Sequence, residues 1–150
     1  MSFIGNLATA YSARAIGDYN AQMYWQQAEY ARAKAERKLT AYEQLDKPRI
    51  IKQQSRDYSN FFVNILSSGA EFSCTPFLSA LTYRVNQNLD LTIANYNATV
   101  DYQDEINNAS LLEAKGIGEK FQGRMTARAE YFKAAGSLLT MGYKSYDAGQ

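Results

Sequence analysis

The chain has 150 residues, with 16 Lys and Arg against 15 Asp and Glu, no histidine and a single cysteine. Without histidine it lacks the commonest general acid/base and metal ligand, and the lone Cys74 can form neither an internal disulfide nor a thiolate metal site, so no metal, no cofactor and no Cys/His catalysis are expected. Nine Gly and two Pro stand among long runs of Ala, Gln, Glu, Lys, Arg and Leu, which makes the expected fold all-α.

The net charge of +1 is unevenly spread: residues 1–60 hold nine basic side chains against six acidic, residues 61–110 one against five, and residues 111–150 six against four. A chain folded back on itself would set these blocks side by side, which favours a hairpin modestly. No stretch approaches the roughly 18 consecutive apolar residues of a membrane span, and "MSFIGNLATAYSARAIG" has no basic region ahead of its short apolar run. A soluble, intracellular product is therefore expected.

In chain order, a first helix is expected over about 7–66, bent near Pro48. Its section 18–46 has no Gly or Pro. Ala21, Tyr24, Ala28, Ala31, Ala35, Lys38, Tyr42 and Leu45 fall three and four residues apart, a packing stripe whose alanines allow close approach of a partner helix. Asp46 and Pro48 suit an N-cap and first turn where the helix restarts. Ser67, Ser68 and Gly69 stop it, Gly69 as the left-handed cap, and a turn over 67–75 leads to Thr75 as cap and Pro76 as helix opener.

The next helix is expected over about 76–115, with Leu78, Leu81, Val85, Leu89, Ile93, Tyr96 and Val100 at helical spacing. Asn86, Asn88, Asn95, Asn97, Asn107 and Asn108 are poor interior helix residues; they read either as a solvated face with register-fixing hydrogen bonds or as a polar face lining an assembly. Gly116, Gly118 and Gly123 predict a Gly-rich break over 116–123, or a close packing contact there. A C-terminal helix over about 124–142 closes an elongated, not compact, antiparallel hairpin, read as one unit over 1–150.

Among motifs, "GIGEKFQG" lacks the Gly-Lys-Ser/Thr ending and the preceding strand of a phosphate loop. Glu29, Glu36 and Glu43 recur every seven residues on an exposed face, and neither they nor Asp104 with Glu105 form a pair held about 5 to 10 Å apart across a cleft as glycoside hydrolysis needs. No enzyme is expected. Lys47, Arg49, Lys52 and Arg56 lie within ten residues and are candidates for partner or phosphate contact, without interleaved aromatics for base stacking. Phe132, Leu138, Leu139 and Met141, beside Arg128 and Lys133, are a candidate membrane or packing face. Twelve tyrosines, six of them by residue 58, exceed what a thin hairpin can cover and suit surfaces buried by neighbours.

Four segments, "SSGAEFSCTPFLSAL", "NLDLTIANYNA", "NNASLLEAKG" and "AAGSLLTMG", resemble in order and spacing the small internal virion proteins of short-tailed, podovirus-type phages. Gly69, Ser73, Thr75, Pro76, Asp90, Tyr96, Asn97, Asn108, Ala109 and Gly116 carry the likeness, which covers roughly residues 20 to 142. Cys74, where a tiny residue fits the pattern, and Pro48 depart from it. The motifs are structural punctuation without chemistry.

The resemblance implies a core or ejection protein: a homo-oligomer packed with larger internal core proteins on the portal inside the capsid. Such a protein is made in the host cytoplasm and, after ejection, helps form a channel for DNA across the host envelope, with transient membrane contact and non-specific DNA contact. Two other readings stay open: a helical adaptor or assembly protein, against whose familiar turn motif Trp25 is misplaced, and a nucleic-acid-binding protein using the patch from Lys47 to Arg56.

Overall fold

A computed structural model describes residues 3–69 and 74–147. The protein is all-α and folds as an antiparallel helical hairpin, as the composition predicts. Its elements are α1 (Phe3–Ala41), a π-helical turn (Tyr42–Asp46), α2 (Lys47–Ser67) and α3 (Cys74–Asp147). In place of the single unit expected, the packing divides into two: one of Met1–Ala31 with Asn107–Gln150, the other of Arg32–Ile106.

In the first unit the seam is built from the smallest side chains. Ala10, Ala21, Ala28 and Ala31 of α1 are buried against α3, where Ala109, Gly116, Gly123, Ala127 and Ala134 are buried in turn. Residue numbers fall along α3 as they rise along α1: Ala28 and Ala31 cluster with Ala109, Trp25 lies at Gly116, and Gly17 lies at Gly123. Ala10, Gly17, Tyr24 and Ala31 are seven apart, as are Ala109, Gly116 and Gly123; a seven-residue repeat winds two helices left-handedly about each other.

The approach is closest at the glycines. A Cβ added to Gly17 would stand 2.9 Å from the Gly123 Cα and 2.9 Å from the Glu119 carbonyl oxygen; one added to Gly123 would stand 2.8 Å from the Ala13 oxygen. A Cβ on Gly116 would meet the Trp25 Nε1 at 2.8 Å. The expected break over 116–123 is therefore corrected: α3 runs through it without interruption, and two of its three glycines serve the other expectation, close packing. Arg124–Met141 is helical as expected, as the continuation of the same helix.

In the second unit the seam is more polar. Lys38 donates to the Glu105 Oε1 at 2.8 Å and the Tyr42 hydroxyl donates to the Asn95 Oδ1 at 2.8 Å. Gln54 and Gln87 each donate a side-chain amide to the other's backbone carbonyl, both at 2.7 Å. Further along, Phe61 stacks on Tyr83 with ring centroids 4.9 Å apart, and the Arg84 guanidinium lies over the Tyr58 ring. Each partner is defined by its reach across the seam, so these pairs fix register in a way that alanines alone cannot.

The restart expected at Asp46 is not a capped helix start. Asp46 has helical φ and ψ and makes no side-chain cap bond; the Lys47 N–H instead bonds to the Tyr42 oxygen, five residues back. One residue too many is accommodated in a wide turn ahead of Pro48, whose ring and missing N–H would otherwise disturb a regular helix. The seam spacing records it, stepping five from Tyr42 to Lys47 and then three or four through Ile50, Gln54, Tyr58, Phe61 and Ile65, all half-buried. The extra residue turns Leu45 off the stripe to which its spacing assigned it, leaving it 68% exposed.

Candidate functional site

At the turn, Gly69 adopts the left-handed conformation expected of it, with φ 72°. Its N–H bonds to the Leu66 oxygen at 3.2 Å, while the Ser68 N–H reaches the Asn64 oxygen at 3.1 Å, so these two carbonyls of the last turn of α2 are satisfied. Thr75 is not the cap that was expected: α3 already includes Cys74, which places Thr75 and Pro76 inside its first turn. Proline is tolerated there because N–H groups of a first turn have no partner within the helix. The middle of the expected turn, 70–73 including Ser73, and the Cys74 side chain lie outside the described residues.

Arg49, Lys52 and Arg56 fall on one face of α2. Arg49, Lys52 and Arg56 are exposed and Lys47 is half-buried. Two shallow surface clefts share Lys52 and Arg56, one running along Glu43, Lys47, Pro48 and Ile51, the other along Arg49, Gln53, Asp57 and Asn60. None of the four forms an ion pair among the described residues. Arg49, Lys52 and Arg56 point away from the seam that Gln54 and Tyr58 face, on the opposite side of a 3.6-residue helix, whereas the half-buried Lys47 lies on the seam side.

The C-terminal candidates share α3 but do not converge on one point. Phe132 and Leu139 are 79% and 77% exposed, and Leu138 and Met141 are also exposed. Lys133 bonds to Glu130 one turn back. No helix among the described residues is long and apolar enough to cross a membrane.

Leu78, Leu81, Val85, Leu89, Ile93, Tyr96 and Val100, which fall at helical spacing, share one face of α3. Every one is exposed. The seam of α3 in this region is formed instead by Ala80, Tyr83, Gln87, Leu91, Ala94, Ala98 and Tyr102, one half-turn away. On α1, Ile4, Tyr11, Tyr19 and Tyr30 are outward as well, and no large side chain among the described residues is fully buried. The apolar periodicity is real; it marks the outside.

One ionic cluster was not singled out by spacing. Glu105 receives Lys34 at 2.7 Å and Lys38 at 2.8 Å with its side chain only 14% exposed. Hydrogen bonds from the two ammonium groups hold its carboxyl below the ordinary value of 4.5, and the Glu105 bond holds the Lys38 ammonium above 10.5. A lowered carboxyl contributes stability that is present above the ordinary carboxylate value and is lost as pH falls through the folded one; a raised ammonium contributes stability present below 10.5 and lost as pH rises through its own folded value. Wild type should therefore melt above Glu105→Gln across the neutral range. The difference should close at both acid and alkaline extremes, as pH-resolved thermal melts would show.

No group of three or more His, Cys, Asp or Glu is placed to hold a metal ion among the described residues, and the Asn20 amide with Glu119, 3.0 Å apart, is a register contact across the seam of the first unit. Comparison with protein families, with curated proteins and with solved structures gives no match.

Proposed function

We propose that the chain is a structural subunit of a virion's internal core of the short-tailed phage type, built in several copies with larger core proteins on the portal inside the capsid. After ejection it contributes to a conduit for DNA across the host envelope. On this reading it is not an enzyme, and its work is done by surfaces. The observation that supports it is the amount of large apolar surface left outward: alanine and glycine line the seam of the first unit, while Leu78, Leu89, Ile93, Tyr96, Phe132 and Leu139 are among the large side chains that are exposed. A monomer rarely leaves such surface uncovered, whereas a subunit surrounded by copies and partners has it buried.

A helical adaptor of another kind would share that surface, so the deciding experiment concerns company. Particles purified from infected cells should contain this chain in fixed stoichiometry with the portal and larger internal proteins, by quantitative mass spectrometry. Abundance in the lysate with absence from purified particles would overturn the reading. The envelope step requires an oligomer, because no single helix of the described chain can span and every backbone polar group in lipid must be satisfied. Phe132, Leu138, Leu139 and Met141 are the residues assigned to it.

A second reading, contact with nucleic acid, is favoured by the unpaired cations of α2. If it holds, log–log salt dependence of DNA binding should be steep, and Arg49→Ala, Lys52→Ala and Arg56→Ala together should reduce the slope by roughly 3, at about 0.9 per phosphate contact. An unchanged slope would remove this patch from DNA binding.

A further inference from the structure

The outward face of α3 in the second unit has a property that its apolar character alone does not explain. Leu78, Val85, Leu89, Ile93 and Val100 read the same in either direction about Leu89: Val85 and Ile93 are each four residues from it, Leu78 and Val100 each eleven. Leu81 and Tyr96, eight and seven residues away, keep the pattern to within one position. Between residues 78 and 100 only Arg84 and Asp90 are charged. Arg84 is engaged with Tyr58 and with the Gln87 side chain. The flanks of the ridge are neutral amides and hydroxyls, among them Asn86, Asn88, Asn97 and Thr92.

We infer that this ridge docks on the same ridge of a second copy, antiparallel, with the two-fold axis at Leu89. In that register Val85 meets Ile93 of the second copy and Leu78 meets Val100, while Asp90 lies on the rim. In a two-fold interface one surface serves both sides, residue i meeting j and j meeting i. The exposed parts of the seven side chains amount to roughly 700 Å² per copy, close to the ~800 Å² per partner of a standard interface. Depletion of charge at the centre with a polar rim is the composition of an interface core. A lipid surface would be met by cations on the flanks, and here the one unengaged charge is Asp90.

The inference specifies one contact within the assembly reading, yet stands or falls separately, since it is read on the purified protein without particles. In a Cys74→Ser background, Leu89→Cys alone should form a disulfide-linked dimer under mild oxidation. Val85→Cys and Ile93→Cys should crosslink when mixed, well above either alone, and Ser55→Cys on α2 should not. Val85→Glu with Ile93→Glu should keep the helical circular dichroism, because both side chains face outward, while weakening self-association at least ~100-fold in sedimentation, as expected when charges are buried without partners. A wild-type monomer at tens of micromolar, crosslinking that ignores register, or a dimer untouched by the two glutamates would each overturn it. A chain that is monomeric alone yet present in virions would show the ridge to be covered by another core protein, and would refute the two-fold while leaving the assembly reading intact.

Discussion

Gly17→Ala and Gly123→Ala should each lower stability, and Gly118→Ala should raise it. All three glycines lie within helices, where alanine is favoured by up to ~1 kcal/mol, so the sign is decided by what the new methyl group meets. At Gly17 and Gly123 it meets backbone at 2.8 to 2.9 Å from the opposite helix, which no rotamer change can relieve. The helices must part locally, and overpacking of that kind costs about 1–3 kcal/mol, enough to outweigh the propensity gain. At Gly118 nothing lies within 4 Å, so the gain of ~0.5–1 kcal/mol stands. Thermal melts at one fixed concentration, which holds any self-association constant, would show the opposite signs. Destabilisation at Gly118 equal to that at Gly17 would mean that the close approach is not a determinant of the fold.

Those glycines show how far the sequence could be read. Gly116, Gly118 and Gly123, within eight residues, carry two consistent meanings, a broken helix or a close contact, and only the residues across the seam decide between them. Ala109, Gly116 and Gly123 share a seven-residue spacing with Ala10, Gly17, Tyr24 and Ala31, and that match between distant segments was the available signal. The alanine stripe from Ala21 to Ala35 was legible because small residues at three and four spacing allow only a close helix partner. The stop at Gly69 was legible because few residues tolerate a positive φ.

The outward ridge was legible as a pattern and opaque as to place. Periodicity reports that Leu78, Val85, Leu89 and Ile93 share a face, and hydrophobicity ordinarily assigns that face to the interior. The seam of α3 in this region is taken by Ala80, Tyr83, Gln87, Leu91, Ala94, Ala98 and Tyr102, so the ridge one half-turn away faces outward. The basic patch of α2 suffered no such inversion, since cations have one favourable destination. Glu105 and the reciprocal pair Gln54 and Gln87 were missed for another reason: polar residues with partners across a seam look, in one dimension, like polar residues facing solvent.

The π-helical turn predicts that one residue can be removed where nearly every other removal would be ruinous. The seam steps five from Tyr42 to Lys47 and three or four everywhere else along α2, so deleting Leu45, which is exposed, converts the wide turn to a regular one and keeps both flanking faces in place. Pro48 then sits within an uninterrupted helix, where its ring and missing N–H cost ~3 kcal/mol or more. Deletion of Leu45 alone should therefore destabilise by about that amount, and the same deletion with Pro48→Ala should restore or exceed wild-type stability. Deleting Asn97 from α3 offers the contrast. With about 100° of rotation per residue, it would turn Ala98 and Tyr102 away from the seam that Leu91 and Ala94 still face. That variant should lose its cooperative melt while retaining helical signal. If the Leu45 deletion with Pro48→Ala melts as poorly as the Asn97 deletion, the wide turn is not a surplus residue held ahead of proline but a required element of the packing.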